Sequence, residues 1–392
     1  MTEFYPMKRS GFTYRNRVRL LEGGAAYFSA LQQLIERAQR VIYLQFYIFE
    51  QDETGHKVVN WLSEAAARGV SVYLMADGYA SRGLSDTFRS DLKKAGIHFR
   101  WFEPLFRSRR FYFGRRMHHK LVVADGLMAL AGGLNVCNRY DDRPGEAGWL
   151  DMAVSCEGEA AVELLKLCQT MWGEHPPVEV DRTALKQLLA SIPVREQQAV
   201  RVRRNDWVMR RMEISKTYRN LFGHAREDVI ILCSYFLPGR VLRRAIASAA
   251  RRGVRIRAVL AGPSDVMMAK HAERYLYRWL LKNGVEIVEY QKTVLHAKVA
   301  CCDGSLATVG SYNVNNISSY ASLELNLELR QRGIVQALRD RIERIIREDC
   351  RPITAATLEE RTGWWIRGWQ RFCYHFINSV FNIVTFYYKQ KE

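Results

Sequence analysis

The strongest constraint on this chain is an internal repeat. Residues Met117–Asn135 read MHHKLVVADGLMALAGGLN, and residues Leu295–Asn313 read LHAKVACCDGSLATVGSYN. When the two segments are aligned, their polar residues and glycines fall at the same spacing. We therefore predict two similar halves that use their histidines together. The corresponding pairs are His118 with His296, Lys120 with Lys298, Asp125 with Asp303, Gly132 with Gly310, Gly133 with Ser311, and Asn135 with Asn313.

Each copy of the repeat predicts a β-hairpin. An Asp-Gly pair lies between two apolar runs in both copies, which is the sequence signal of a tight turn. The alternation of side chains along a strand puts His118 and Lys120 on one face and His119 on the other. Turn chemistry alone explains an Asp before a Gly, so we expect a structural role for Asp125 and Asp303 although both belong to the repeated motif.

Brought together about a pseudo-twofold axis, the two copies predict a pocket suited to a phosphodiester. Lysine ammonium and asparagine amide groups can bind the non-bridging oxygens and offset the charge of the transition state. One histidine can attack phosphorus, and the other can protonate the leaving alkoxide and then deprotonate an incoming alcohol. This chemistry requires no metal and no organic cofactor, because the lysines supply the positive charge.

Each half also carries an acidic residue in an apolar strand after the hairpin. Asp151 lies in WLDMAV, and Glu324 lies in LELNLEL. An acid in such a strand needs a partner, and a nucleophilic histidine needs an acceptor for its second ring nitrogen. We predict that Asp151 and Glu324 orient the two histidines.

The duplicated pattern HxKx4Dx6G[GS]xN resembles the signature of the phospholipase D superfamily and is complete in both copies. The resemblance covers nearly the whole chain and is greatest to bacterial cardiolipin synthases, particularly the B type, which lacks N-terminal membrane spans. It implies that His118 becomes the phosphohistidine and that His296 is the acid and base. One departure is Gly133, since the family often has Ser there, and glycine removes a hydroxyl from the phosphate pocket.

The resemblance also implies the fold and the residues that form the active site. We expect an α/β protein of two phospholipase D-like α-β-α sandwich halves related by a pseudo-twofold axis, with the active site at their interface. The candidate catalytic residues are His118, Lys120, Asp125, His296, Lys298 and Asp303. The candidate phosphate-binding or orienting residues are Gly133, Asn135, Asp151, Ser311, Asn313 and Glu324.

The order of predicted elements supports this duplication. Strands alternate with helices in both halves, which indicates α/β layers. The segments AAARGVSVYL and SAARRGVRIRAVL share one pattern, a helix that ends at glycine and is followed by a strand. A polar, proline-containing stretch at 176–204 marks the join. We place the halves at 1–195 and 196–355 and a C-terminal tail at 356–392.

The net charge and the cysteine pattern limit which partners and which cellular compartment the sequence is compatible with. The net charge of +18 and the isoelectric point near 9.7 imply an anionic partner, either nucleic acid or an acidic membrane surface. The eight cysteines are scattered without metal-ligand spacing, which we interpret as reduced thiols in a cytosolic setting. The first nineteen residues are charged and interrupted by Pro6, and they do not match a secretory signal.

Two stretches bear on the choice of substrate. Residues 106–116, FRSRRFYFGRR, could stack on nucleic-acid bases, lie among lipid headgroups or form a solvated loop.

Residues 363–388 place aromatic side chains on one helical stripe, while polar residues elsewhere argue against a spanning helix. We predict a helix lying in a membrane interface, with a helix docked on the core as the alternative. The candidate membrane-binding residues are Trp364, Trp365, Trp369, Phe372 and Phe376.

These observations favour a cardiolipin synthase-like phosphatidyl transferase. It would transfer a phosphatidyl group between phosphatidylglycerol-type phospholipids through a phosphohistidine and release glycerol. The expected partners are phospholipid substrates and an anionic phospholipid membrane on the cytoplasmic face of a bacterial inner membrane, and the tryptophan-rich tail argues against nucleic acid. The alternatives are a phospholipase D-like nuclease or phosphodiesterase, a phosphatidylserine synthase-like headgroup exchanger, and a membrane-binding scaffold with an inactive site. The sequence leaves the oligomeric state open.

Overall fold

The computed structural model describes residues 11–103, 115–173, 178–315, 318–319, 322–360 and 363–389, with side chains described as far as Val380 in the last range. Two β-sheets, one from each half of the chain, pack against each other through an apolar core. Most of the arginine- and aromatic-rich stretch at 106–116 lies outside the described residues, as do Pro176 and Pro177. Their predicted roles stay predictions.

The first sheet has seven strands, with the parallel pairs at one edge and the antiparallel pairs at the other. The strands are β1 (Asn16–Glu22), β2 (Val41–Phe46), β3 (Ser71–Asp77), β4 (Ile97–Phe102), β6 (Lys120–Ala124), β7 (Met128–Gly132) and β8 (Met152–Gly158), in the spatial order β1-β8-β7-β6-β2-β3-β4. The helices of this half are α1 (Gly23–Arg37), α2 (Glu53–Ala67), α3 (Asp86–Lys94) and α4 (Glu159–Trp172).

The second sheet repeats this order and adds strands at both edges. Its strands are β9 (Val200–Asp206), β10 (Arg211–Met212), β11 (Asp228–Cys233), β12 (Arg255–Ala261), β13 (Val285–Tyr290), β14 (Lys298–Cys302), β15 (Leu306–Gly310), β16 (Ser322–Leu329) and β17 (Cys350–Ile353), in the order β10-β9-β16-β15-β14-β11-β12-β13-β17. Helix α5 (Arg182–Ser191) precedes the boundary and contacts β8, and the later helices are α6 (Glu213–His224), α7 (Arg240–Arg251), α8 (Met267–Lys282), α9 (Arg332–Asp349), α10 (Ala355–Glu360) and α11 (Trp364–Lys389).

The two sheets are related strand by strand, as the sequence repeat predicts. The run β9-β16-β15-β14-β11-β12-β13 matches β1-β8-β7-β6-β2-β3-β4. The last strand of the first sheet ends at Gly158 and the first strand of the second begins at Val200, so the proposed boundary near residue 195 lies between the sheets.

Three apolar clusters form the core. One lies between the sheets and also takes side chains from α4 and α9. The second packs the outer face of the first sheet on α1, α2 and α3, and the third packs the second sheet on α6, α7 and α8. Burial of a large apolar side chain stabilises the fold by roughly 1.5–3 kcal/mol, so the shared cluster joins the halves firmly.

Both predicted hairpins are present. In the first, Asp125 and Gly126 have φ angles of +57° and +69°, and the second repeats this at Asp303 and Gly304 with +48° and +58°. Consecutive positive φ values define the turn that best fits the twist of a two-residue hairpin. The prediction that His118 lies within the strand is wrong, because β6 begins at Lys120.

The histidine leaves its own sheet because the chain pairs there with the other half. The short strand β5 (Arg116–Met117) pairs in parallel with Ser322 and Leu323 at the start of β16. The reciprocal contact is a parallel bridge between Leu150 and Leu295. Each half thus contributes backbone to the other directly before its catalytic motif.

Candidate active site

A single cavity of about 930 Å³ contains residues of both repeats. It lies between the halves, as the pseudo-twofold predicts, and its size fits the range of small-molecule sites. Lys120, Lys298 and Asp151 are buried next to residues that line it. The motif residues that line the cavity are His118, Asn135, His296, Asn313 and Glu324.

His118 is held by the second half of the chain. Its Nδ1 lies 2.9 Å from Glu324 Oε2 and 3.1 Å from the carbonyl oxygen of Ser311. Ser311 Oγ donates to the same carboxylate oxygen of Glu324. Because both neighbours of Nδ1 are acceptors, Nδ1 carries the hydrogen and Nε2 keeps its lone pair for chemistry.

His296 is held by the first half in the same way. Its Nδ1 lies 2.6 Å from Asp151 Oδ2. The hydroxyl of Tyr140 is 3.2 Å from His296 Nε2, and the rings of Tyr140 and Trp149 flank the imidazole at 5.1 Å and 5.9 Å. The orienting role predicted for the acids thus has a geometric basis, with each acid serving the histidine of the opposite half.

Backbone pairing between the halves explains why each histidine contacts the acid of the opposite half. The amide of His118 donates to the carbonyl oxygen of Leu323 at 2.9 Å, one residue before Glu324. The amide of His296 donates to the carbonyl oxygen of Leu150 at 2.8 Å, one residue before Asp151. Each histidine is therefore fixed in register with the acid that it needs.

The structure gives a reason for Gly133 in the first copy. A Cβ at Gly133 would lie 2.6 Å from Asp151 Cγ and closer still to both carboxylate oxygens. In the second copy the longer Glu324 leaves room for Ser311, which donates to it. The two copies thus differ at both positions: Gly133 faces the shorter Asp151, and Ser311 faces the longer Glu324.

The two lysines share one contact, and Lys298 makes two more: its Nζ lies 2.8 Å from His296 Nδ1 and donates to Ser234 Oγ at 3.2 Å. Lys120 Nζ donates to the carbonyl oxygen of His118 at 2.8 Å, and Lys298 Nζ donates to that of His296. Burial lowers the pKa of Lys120 to about 7, although Glu324 acts in the opposite direction. Burial also lowers the pKa of Lys298, and Asp151 opposes that shift. An anion in the cavity would restore the charged form of both lysines.

Burial also sets the protonation of the two histidines. It lowers the pKa of His118, and Glu324 opposes this shift. It lowers the pKa of His296 well below the usual range, with further lowering from Lys298, Lys120 and His118. Burial raises the pKa of Asp151 to about 7. The empty pocket therefore favours neutral imidazoles, which is the form that a nucleophile requires.

The asparagines present amide nitrogens to the site. Asn313 Oδ1 accepts from Ser234 Oγ at 2.7 Å, which leaves its Nδ2 as a donor for a ligand. Asn135 Oδ1 accepts from the amide of Ile48 at 3.0 Å, and its Nδ2 donates to the Tyr140 hydroxyl. Both side chains line the cavity, and the Asn135 nitrogen is already bonded to Tyr140, whereas that of Asn313 has donors left for a ligand.

Asp125 and Asp303 have a different function from the histidines and lysines. The Asp125 carboxylate accepts from the backbone amides of Gln39, Arg40 and Val41 at 2.8–2.9 Å. Asp303 accepts from the amides of Arg226, Glu227 and Asp228 at 2.9–3.0 Å. Each carboxylate ties its hairpin turn to the start of a neighbouring strand, which supports the structural role expected from turn chemistry, and their place among the catalytic candidates stays a prediction.

Sequence reasoning missed two pocket residues, Arg139 and Tyr140. Both line the cavity near His296. They follow Asn135 in the segment NVCNRY, and the aligned segment NVNNIS of the second copy has Ile317 and Ser318 at these positions. An extension of the repeat alignment past the asparagines would have revealed this asymmetry.

His119 lies outside the site. Its side chain is buried, and its Nδ1 lies 2.9 Å from Gln45 Oε1.

The geometry agrees with the family to which this sequence is similar. The family model described as "Cardiolipin synthase, PLD-like domain" matches residues 31–172 and 218–346. The chain belongs to this family. Cardiolipin synthase B of Salmonella typhimurium is 34% identical over 94% of this chain and 89% of its own length. Cardiolipin synthase B of Escherichia coli strain K12 is 35% identical over 92% of this chain and 88% of its own length.

Solved structures share the fold of this family member at low sequence identity. Phosphatidylserine synthase of Haemophilus influenzae superposes with a TM-score of 0.73 at 14% identity and 94% coverage of both chains. Polyphosphate kinase of Porphyromonas gingivalis gives a TM-score of 0.60 at 13% identity, covering 93% of this chain and 53% of its own. The predicted family and two-half α/β fold are confirmed.

Proposed function

We propose that the protein is a cardiolipin synthase, a phospholipase D-type phosphatidyl transferase. The observation that carries this proposal is the pair of histidines in one cavity, each oriented by an acid from the opposite half, in a chain of the cardiolipin synthase family. The substrates are phosphatidylglycerol-type phospholipids, and the second product is glycerol.

In the first step His118 Nε2 attacks the phosphorus of the donor lipid. The N–P bond forms as the P–O bond to the headgroup glycerol breaks, and His296 gives its proton to the departing oxygen. Glu324 supports this role because it holds the Nδ1 proton of His118 and stabilises the charge that develops on the ring.

In the second step the headgroup hydroxyl of another phosphatidylglycerol attacks the phosphorus. His296 takes the hydroxyl proton as the new O–P bond forms and the N–P bond to His118 breaks. The product is cardiolipin, and both histidines return to their starting protonation states. Water in place of the alcohol would give phosphatidic acid, so exclusion of water favours transfer.

Charge in the pocket supports both steps. A phosphodiester anion between Lys120 and Lys298 favours the charged form of each lysine and the protonated form of His296, opposing the effect of burial. The Asn313 amide adds a donor for a non-bridging oxygen.

The cavity wall favours lipid over nucleic acid as substrate. Apolar side chains line it beside the catalytic groups, and acyl chains or a glycerol backbone fit such a wall better than a polyanion does. Headgroup exchange of the phosphatidylserine synthase type uses the same phosphatidyl-enzyme and remains the second candidate. The apolar lining residues are Ile48, Leu237, Val266, Met268, Ile377 and Val380.

We further propose that the protein binds peripherally to the cytoplasmic face of a bacterial inner membrane. Its charge of +18 favours an anionic phospholipid surface, and the candidate aromatic residues of the tail are exposed. Among the described helices, none is both long enough and apolar enough to cross a membrane. These observations favour attachment at the surface of the bilayer.

The direct test is incubation of purified protein with phosphatidylglycerol vesicles and analysis of the lipids by mass spectrometry. We expect cardiolipin and glycerol from the wild type and neither from His118→Ala. His224→Ala is the matched control because His224 is exposed on α6, outside the cavity. Unchanged lipid together with degraded DNA would support the nuclease alternative instead.

Chelation tests the proposal that the lysines supply the positive charge. We expect activity in EDTA to stay within about twofold of the untreated enzyme, since no step calls for a metal. A large loss that added divalent cation restores would contradict the proposed chemistry.

A further inference from the structure

The C-terminal helix α11 docks on the body of the protein through an unexpected face. Gln370 and Cys373 are buried, and the Tyr374 ring packs on Tyr275 of α8 at 4.7 Å. Residues three, four and seven apart lie on one helix face, which extends this contact to Ile377. The tail is therefore a docked helix whose contact face is not its aromatic stripe.

The aromatic stripe of α11 lies beside this contact and overlaps it at Trp369, whose ring is 6.4 Å from His271 of α8. Phe372 and Phe376 are 51% and 45% exposed, and the rings of Trp369, Phe372 and Phe376 form a continuous row at 5.3 Å and 5.7 Å. We name Trp365, Trp369, Phe372, Phe376 and Val380 the aromatic ridge. It spans roughly 22 Å along the helix at 1.5 Å per residue.

One end of the aromatic ridge reaches the catalytic cavity. Ile377 and Val380 of α11 line the same cavity as His118 and His296, and so do Val266 and Met268 from the start of α8. Val266, Met268 and Val380 are exposed as well. Side chains that both line a cavity and reach solvent lie at its mouth, so the mouth adjoins the ridge and is mainly apolar, with the carboxylate of Asp265 beside Val266.

A lipid bilayer fits this surface better than a protein partner does. Arg367 and Arg371 are exposed on α11 on the side of the helix away from the ridge, and the whole chain carries +18. A helix with an apolar aromatic face and a basic opposite face suits the boundary between acyl chains and anionic headgroups. A phospholipid held at this mouth can reach the histidines with its phosphodiester while its acyl chains remain on apolar surface.

We propose that the aromatic ridge and the start of α8 dock on an anionic phospholipid surface, and that lipids pass from the bilayer into the catalytic cavity beside Val380, Val266 and Met268. The inference rests on the proposed function, which it deepens by assigning the route of the substrate. Helix α11 then has two functions, as a membrane contact and as one wall of the lipid passage.

The first test separates docking from catalysis. The double substitution Phe372→Glu and Phe376→Glu adds two charges to exposed positions of the ridge, and Val194→Glu with Val241→Glu adds two charges at exposed positions elsewhere. Each protein is assayed for co-sedimentation with phosphatidylglycerol vesicles, for cardiolipin formation, and for hydrolysis of the soluble diester bis(4-nitrophenyl) phosphate. Light scattering without vesicles records the oligomeric state.

We expect the ridge variant to lose about tenfold or more in vesicle binding and cardiolipin formation, since charged side chains are costly in the interface. Hydrolysis of the soluble diester should stay within about twofold of wild type, because the catalytic groups are untouched. The control variant should match wild type in all three assays. Unchanged vesicle binding, equal loss on both substrates, or a wild-type dimer that the ridge substitutions dissociate would each overturn the inference.

The second test locates the mouth of the cavity relative to the bilayer. Val380→Cys, Met267→Cys and Val194→Cys variants carry an environment-sensitive fluorophore, and vesicles contain phospholipid with nitroxide on its acyl chains. Seven of the native cysteines are buried, and the labelled wild type measures the remaining background. We expect strong quenching at Val380 and Met267 and none at Val194. Quenching that is equal at all three positions, or absent at Val380, would overturn the proposed route.

The two proposals fail in different ways. A wild-type protein that binds vesicles through the ridge and hydrolyses the soluble diester, yet makes no cardiolipin, would contradict the proposed function and leave the docking surface supported. A protein that makes cardiolipin equally well with and without the ridge substitutions would contradict only the docking surface.

Discussion

His118 and Glu324 belong to different halves of the chain and are joined by a 2.9 Å hydrogen bond from Nδ1 to Oε2. The reciprocal pair, His296 and Asp151, is 2.6 Å apart. Each acid therefore lies across the pseudo-twofold axis from the half of the chain that supplies its histidine.

Loss of the carboxylate at either position should slow the reaction without unfolding the protein. For Glu324→Gln we expect kcat to fall about a hundred- to ten-thousandfold, because an amide cannot stabilise the imidazolium and favours the wrong tautomer. Steady-state cardiolipin formation measures the effect. Glu286→Gln is the matched control, since Glu286 pairs with Arg255 at the surface. Equal activity of Glu324→Gln and wild type would contradict the orienting role.

The contact between Gly133 and Asp151 should be tested by substituting the two residues singly and together. Gly133→Ser alone should displace the Asp151 carboxylate and reduce activity about a hundredfold, because an overlap of this size forces the acid from its position. Adding Asp151→Glu should recover much of the loss, since Ser311 and Glu324 already form that combination in the second copy. The double-mutant cycle is measured on kcat.

A double variant no better than Gly133→Ser would contradict the proposed coupling. The converse substitution, Ser311→Gly, removes one hydrogen bond to Glu324 without overlap and should cost far less, about tenfold.

The assignment of His118 as nucleophile predicts a trapped intermediate. The diester bis(4-nitrophenyl) phosphate has a leaving group that departs without protonation, so His296→Ala should still form the phosphoryl enzyme but hydrolyse it slowly. We expect a burst of one equivalent of nitrophenol and a phosphorylated peptide containing residue 118. His118→Ala should give no burst. A phosphopeptide containing residue 296 in the wild type would reverse the assignment of the two histidines.

Anion binding should depend on pH through the buried lysines. The pKa of Lys120 is lowered to about 7, so above that pH the empty pocket must take up a proton to bind an anion. Sulfate does not titrate in this range, and its affinity should fall by up to about tenfold per pH unit between about pH 7 and pH 9. Isothermal titration calorimetry measures both affinity and proton uptake.

Lys120→Met should bind sulfate more weakly and with a smaller pH dependence. Lys94→Met, at an exposed position of α3, should behave as wild type. An affinity that stays constant or rises through this window in the wild type would contradict the lowered lysine pKa.

The sequence predicted the fold and the site where the signal was local or repeated. The Asp-Gly pairs determine the hairpins through their positive φ values, and the alignment of His118 with His296 predicts a shared pocket. Asp151 and Glu324 stood out because acids are costly in apolar strands. These features depend on residues near one another in sequence or on the repeat itself.

The remaining features depend on contacts between distant segments. The exchange of Asp151 and Glu324 follows from backbone bridges between the halves, which no periodicity reveals. The tail is docked on α8, which was the alternative prediction, yet it leaves Phe372 and Phe376 exposed, and the membrane interface stays a proposal. A hydrophobic stripe identifies an apolar face but does not tell whether protein or lipid covers it.

Because each acid contacts the histidine of the opposite half, the arrangement limits how such a molecule could arise. A chain with a single repeat would carry a histidine and an acid that cannot reach each other, so two copies would have to associate before either imidazole was oriented. In a single chain with both repeats the two sites need not stay identical, and here they differ: Gly133 faces Asp151, whereas Ser311 donates to Glu324.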